Sequence, residues 1–193
     1  MLKEKKITRK KQIEQKATEL FQTRGYAATS MRDLASEMGL EAGSLYSHIK
    51  SKEEILRNIC FDMANDLMAE FDKITTEQSG PSEKLKKYVV AHVNTLTTDT
   101  AAAGVFLHEW RHLSEPYLSD FLKMREDYEQ RFREVVRQGM AQGAFKKVNE
   151  KFAVLTILAS LNWVHQWYKP SGKMSAQDVA DELAVIVLDG LRP

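Results

Sequence analysis

Apolar residues recur at three- and four-residue steps along most of the chain. Ile13, Ala17, Leu20 and Phe21 fall on one side of a first helix, and Leu56, Ile59, Cys60, Met63, Leu67 and Phe71 on one side of another. The 3.6-residue period of an α-helix gathers such positions into a single stripe. The two-residue alternation of a half-buried strand is nearly absent, which makes the chain all-α. Breakers and caps set the bounds. Gly25 ends the first helix, Thr29 or Ser30 caps the second with Asp33 placed for a capping box, Gly39 closes it, and Ser51 caps the helix that opens with Lys52, Glu53 and Glu54. Residues 75–82 read as a loop, with Ser82 the cap of a helix to about Thr98. A short helix is expected over 101–113, and Pro116 starts a long one to about Gln142. The most apolar helix covers 150–168, and a last one covers 176–191. The expected total is about nine helices, with no repeat and no low-complexity tract.

Composition narrows the class. The 193 residues include 43% apolar and 28% charged side chains, enough to bury a core and far from the composition of disordered chains. One cysteine, Cys60, excludes an intramolecular disulfide and agrees with a reducing compartment. The longest apolar run, residues 152–161, is about half of what a bilayer span requires. No secretory signal pattern follows the basic start, so a cytoplasmic protein with no membrane partner is expected. Net charge is +1, but it is unevenly placed. Residues 1–58 carry 12 Lys/Arg against 8 Asp/Glu, and the remainder 16 against 19. Six basic residues and one acid fall in the first eleven. A basic module with a basic arm, joined to a slightly acidic body, suits a polyanion at the first part; a solvated tail is the plainer alternative.

Residues 29–49 have the layout of a helix-turn-helix. Leu34, Ala35 and Met38 make one inner face, Gly39 allows the turn, and Leu40, Leu45 and Ile49 make the other. The outward residues of the second helix are small or polar: Glu41, Ala42, Gly43, Ser44 and Ser47. A helix tip without bulk can press against base edges in the major groove while the preceding helix, with Thr29, Ser30 and Arg32 at its start, crosses the phosphates. Tyr46, His48 and Lys52 then offer a hydroxyl, a ring N–H and an ammonium to backbone oxygens, and the capped helix start at Lys52 adds its own N–H groups. An ordinary helical hairpin has the same periodicity.

Residues 8–60 resemble the DNA-binding domain of the TetR family of transcriptional repressors. The resemblance is carried by 13–21 with Gly25-Tyr26, by 29–39, and above all by the run Leu45-Tyr46-Ser47-His48-Ile49-Lys50-Ser51-Lys52-Glu53-Glu54. Ile49 stands where the family usually has Phe, a core exchange. Glu41 places an acid at the start of the recognition helix, where it either accepts from a cytosine amino group or only caps its helix. The resemblance implies a homodimer that binds a palindromic double-stranded DNA operator through residues 1–52. Residues 53–193 would then form an effector-binding and dimerisation domain, and no cofactor and no enzymatic activity are expected.

Two features of the body bear on that expectation. The last two predicted helices are strongly apolar, with Leu155, Ile157, Leu158 and Leu161 on one and Leu183, Val187 and Leu188 on the other. In similar proteins the final pair forms a four-helix bundle with its mate; burial within one chain is the alternative. Aromatic and Met residues also cluster, among them Phe106, Trp110, Tyr117, Phe121, Met124 and Tyr128, followed by Phe132, Trp163, Trp167 and Tyr168. Such a set is either plain core or a ligand cavity. The runs 163–172 and 108–111 resemble TetR-family regulators that respond to acyl-CoA thioesters, which implies an apolar tunnel for the acyl group. Arg111, Arg125, Arg131 or Lys169 would stand near its mouth for the CoA phosphates. An effector of efflux or stress regulators is the alternative.

His108-Glu109-Trp110-Arg111-His112 matches the H-E-x-x-H pattern of zinc proteases. Two His at i and i+4 on one helix can hold zinc with the Glu as base, but a third ligand is needed and nothing downstream nominates one. No metal is expected on this basis, and a zinc-dependent hydrolase is the remote alternative.

Overall fold

The computed structural model describes residues 8–193; of the basic run expected in the first eleven residues, Lys3, Lys5 and Lys6 lie outside them, and Arg9, Lys10 and Lys11 belong to the first helix. Among the described residues the chain forms nine α-helices, one 3₁₀ turn and no strand. The first four are α1 (Arg9–Arg24), α2 (Met31–Glu37), α3 (Ala42–Tyr46) and α4 (Lys52–Thr75). The body follows with α5 (Pro81–Thr98), α6 (Thr100–His108), α7 (Tyr117–Ala141), α8 (Glu150–Trp167) and α9 (Ala176–Leu191). No described helix is long and apolar enough to cross a membrane.

Local rules account for most of the boundaries. Gly25 at φ 85° and Gly39 at φ 62° adopt left-handed backbone that other residues rarely take, and both lie just past helix ends. Ser30 and Asp33 form the reciprocal capping box, and Ser51 accepts from the Glu54 amide. Two expectations need correction. The cap of α5 is Gly80 with Pro81 at the first helical position, not Ser82, because a proline ring already holds the dihedral that a helix start needs. The helix expected over 101–113 ends at His108, and residues 110–112 turn as 3₁₀.

Two cores hold the chain. The first gathers Ile13, Phe21, Leu34, Leu45 and Ile49 of the helix-turn-helix and runs on into Leu56, Leu67, Phe106 and Phe121 without a break. The expected division at residue 52 falls on the first residue of α4, whose buried face from Ile55 to Leu67 belongs to this same core. The second core joins α5, α7, α8 and α9 around Phe71, Tyr88 and Phe132, with Phe71 and Tyr88 stacked at 3.5 Å. In it the Phe145 ring lies where a side chain on Gly139 would stand, so α7 needs glycine there. Cys60 is buried in the first core, and burial pushes its thiol up to about 12, which leaves it unreactive.

Candidate functional site

The helix-turn-helix presents a small polar tip. Leu40 N–H donates to Ala35 O at 2.9 Å across the Gly39 turn, which sets α3 against α2. Leu45 and Ile49 are buried beneath, so Glu41, Gly43, Ser44, Tyr46, Ser47 and His48 are exposed on the outer side, with Ala42 half-buried. Glu41 makes no side-chain capping bond, which removes the capping alternative and leaves its carboxylate free. Ser30 and Arg32 are exposed beside this tip.

Thr29 and Lys52 do not belong to that surface. Thr29 is 1% exposed, and its hydroxyl donates to Gly25 O at 2.9 Å. Lys52 Nζ donates to Tyr26 O at 2.8 Å and Thr29 O at 2.7 Å while lying 4.1 Å from the Tyr26 ring centre. The ammonium expected to meet phosphate is a brace that ties α4 to the loop between α1 and α2. Partial burial lowers its pKa. The α4 start also carries its own anion, since Glu54 accepts from Lys50 N–H at 2.8 Å and pairs with Lys10 at 3.0 Å. Further ties link this head to the body. Tyr26 stacks on His112 at 5.2 Å, and Glu53 accepts from Ser114 N–H at 2.7 Å.

In the body a cavity of about 580 Å³ opens between α4, α5, α6, α7 and α8. Its apolar wall includes Leu67, Met68, Phe106, Leu107, Met124 and Leu158. Three of the sequence-predicted ligand residues line it: Phe106, Met124 and Tyr128. The other six do not. Phe121 is fully buried in the first core. Trp110 lies under two guanidiniums, with Arg111 at 4.5 Å and Arg125 at 4.7 Å from its ring, and its indole N–H is buried without a partner. Trp163 and Trp167 are 61% and 46% exposed, because α8 buries Val154, Ile157, Leu161 and Val164 and so turns these two indoles outward. Lys169 is exposed beyond the end of α8, and Arg111 is exposed as well. Of the four basic residues expected at the mouth only Arg125 reaches it; Arg131 pairs with Asp72 instead. Arg133 and Lys151, not anticipated, supply the other cations, and burial lowers the Arg125 pKa.

A polar chain crosses the cavity wall. His92 is 2% exposed, with Nδ1 at 2.9 Å from the Tyr128 hydroxyl and Nε2 at 3.1 Å from Asn162 Oδ1. Burial holds the imidazole at about 4, so it is neutral at physiological pH, and burial raises Tyr128 as well. His92 and Asn162 escaped the sequence reading. The available signal for His92 was its place in the apolar stripe Leu85, Tyr88, Val89, His92, Val93, Leu96.

The H-E-x-x-H run does not lie on one helix. His108 closes α6 and faces His165, whereas His112 sits in the 3₁₀ turn against Tyr26 and 3.5 Å from Glu109. The apolar face expected for dimerisation is also redistributed. Ile157, Leu161, Val187 and Leu188 are buried within the chain, and the exposed large apolar residues of the last two helices are Phe152, Leu155, Val185 and Ile186 together with the two tryptophans.

Sequence comparison agrees with this geometry. Residues 78–191 match the tetracyclin repressor-like C-terminal domain, and residues 13–59 match the bacterial regulatory proteins of the tetR family. The chain belongs to the TetR family. It is 30% identical over 186 residues to the HTH-type transcriptional repressor KstR2 of Mycolicibacterium smegmatis, covering 95% of this chain and 91% of that one. The solved ketosteroid transcriptional regulator KstR2 of Mycobacterium tuberculosis superposes with a TM-score of 0.90 at 26% identity, over 96% of both chains. AibR, solved in complex with isovaleryl coenzyme A and operator DNA, shares the fold at a TM-score of 0.79 and 23% identity, over 93% of this chain and 97% of that one. This protein is a TetR-type transcriptional repressor with an N-terminal helix-turn-helix, and its relatives are regulators, not enzymes.

Proposed function

We propose that the protein is a cytoplasmic homodimeric repressor that leaves its operator when an acyl-CoA thioester enters the cavity between α4 and α8. The observation that carries this reading is the cavity itself: about 580 Å³, with an apolar wall and Arg125, Arg133 and Lys151 among its lining residues. That volume is in the range of small-molecule sites. The apolar wall suits an acyl group; Glu126 and Glu129 also line the cavity and Glu129 pairs with Arg133, which leaves the Arg125 guanidinium and the Lys151 ammonium for the CoA phosphates. The relative AibR was solved with a coenzyme A thioester, which favours this class over other apolar effectors.

On this reading residues 1–52 hold the DNA-reading surface, in which Ser30, Arg32, Glu41, Ala42, Gly43, Ser44, Tyr46, Ser47 and His48 meet DNA. Residues 53–193 hold the effector and the dimer contact. The dimer forms through the outer faces of α8 and α9, where Phe152, Trp163 and Ile186 are 74%, 61% and 64% exposed. Leu155 lies both on that outer face and in the cavity lining, so effector and dimer geometry meet at one residue. Two reading heads about 34 to 36 Å apart suit successive major grooves, and an effector that favours another spacing couples to DNA with typically 1 to 3 kcal/mol.

The test is operator binding by fluorescence anisotropy with acyl-CoA thioesters, their free acids and free CoA. Release by a thioester and not by its acid is expected; tight binding indifferent to the whole panel discards the acyl-CoA class and keeps the repressor. Ile186→Asp, at a position 64% exposed, should convert the dimer to folded monomer in sedimentation velocity.

A further inference from the structure

A second cluster of titratable side chains lies outside the effector cavity, where α1, α6 and α8 meet. His108 Nε2 is 3.2 Å from His165 Nε2, and the Gln166 side-chain amide is 2.9 Å from His165 Nε2 and 3.3 Å from His108 Nε2. The three polar atoms form a nearly equilateral triangle. His165 Nδ1 is 2.5 Å from the Asn162 carbonyl oxygen, which can only accept, so the ring proton sits on Nδ1 and the Nε2 lone pair points into the triangle. Fixing the tautomer through a carbonyl on the far nitrogen is what metal-ligating histidines require. His108 has no other ring partner among the described residues and is free to present its own Nε2 lone pair. The ends of an amide are interchangeable by rotation, so Gln166 can offer its oxygen.

The dimensions match a metal centre. Tetrahedral zinc with bonds of about 2.0 to 2.1 Å sets its ligand atoms about 3.3 Å apart, close to all three sides of this triangle. The cleft in front of it has a volume of about 200 Å³, and Glu109 and Gln22 share its lining. His108 and Gln166 are exposed, so an ion has a path in. Among the described residues no third His, Cys, Asp or Glu converges here, which makes the third corner an amide and the ion exchangeable. The sequence pattern pairs His108 with His112; the fold pairs it with His165, 57 positions away.

We propose that His108, His165 and Gln166 form a site for a divalent transition-metal ion of the zinc class, with water completing the coordination. The ion pins the end of α6 to the last turn of α8. It does so beside Gly104, where the side chains of Gln22 and His165 both stand 3.6 Å from the position a Cβ would take. Gln22 of α1 therefore borders the same cleft from the side of the reading head. The site is independent of the effector cavity, and its test needs neither DNA nor thioester.

The full chain is titrated with Co²⁺ and followed by visible absorption, then with Zn²⁺ in competition and by thermal unfolding. One ion per chain with a tetrahedral Co²⁺ spectrum, displaced by Zn²⁺, is expected, together with a rise in Tm. His108→Ala removes an exposed ligand without touching the core, and should weaken binding at least tenfold. Gln166→Ala should weaken it less, and His112→Ala should leave it unchanged. No saturable binding by the wild-type chain, or equal binding by the His108→Ala variant, overturns the proposal.

Discussion

The reading head and the effector body are built from the same kind of helix but differ in what they leave uncommitted. In the head, polar groups are closed on one another: Thr29 on Gly25 and Lys52 on Tyr26 and Thr29 beneath the surface, Ser30 on Asp33 and Glu54 on Lys50 at it. What remains outward is a short helix of small residues. In the body, the cavity wall keeps Arg125 and Lys151 beside open volume, and Trp110 and Arg133 each carry a buried N–H without a partner. The head is therefore suited to move as one piece, and the body to change shape around a guest.

The largest effect that separates the two is packing. Leu45→Ala removes a fully buried side chain from beneath the recognition helix and should cost about 2 to 5 kcal/mol. Leu158→Ala lies on an existing cavity wall and should cost about 1 kcal/mol, while changing effector affinity. Equal losses in denaturant titrations of the two variants would remove the distinction.

The next effect is pH. His92 is held at about 4 by burial, against an unfolded value of about 6.5, so the unfolded chain binds more protons between them. Its contribution is fully present above about 6.5 and is lost as pH falls towards 4, on the order of 3 kcal/mol in total. His92→Gln should flatten stability over that window in urea melts.

The smallest effect separates a brace from a phosphate contact. Lys52→Ala should cost about 1 to 3 kcal/mol of stability, because it breaks two bonds from a charged donor. The slope of operator affinity against salt should stay the same. A slope lower by about one would return Lys52 to the phosphate backbone.

Much of this was legible from the chain alone. Helix period, the Gly25 and Gly39 breaks and the Ser30–Asp33 and Ser51 caps all act within a few residues, so the all-α class and the helix-turn-helix follow from local spacing. The run from Leu45 to Glu54 carried the family. Local spacing could not say which face of α8 turns inward. That choice sent Trp163 and Trp167 to the surface and Leu158 and Asn162 to the cavity, and only packing against α5, α6 and α7 made it. Tertiary structure likewise decided that Lys52 bends back to carbonyls 23 and 26 positions earlier, and that His108 meets His165 and not His112. Pattern along a helix reports that a side chain is buried or free; what it touches is set by segments distant in sequence, whose approach no short-range period encodes.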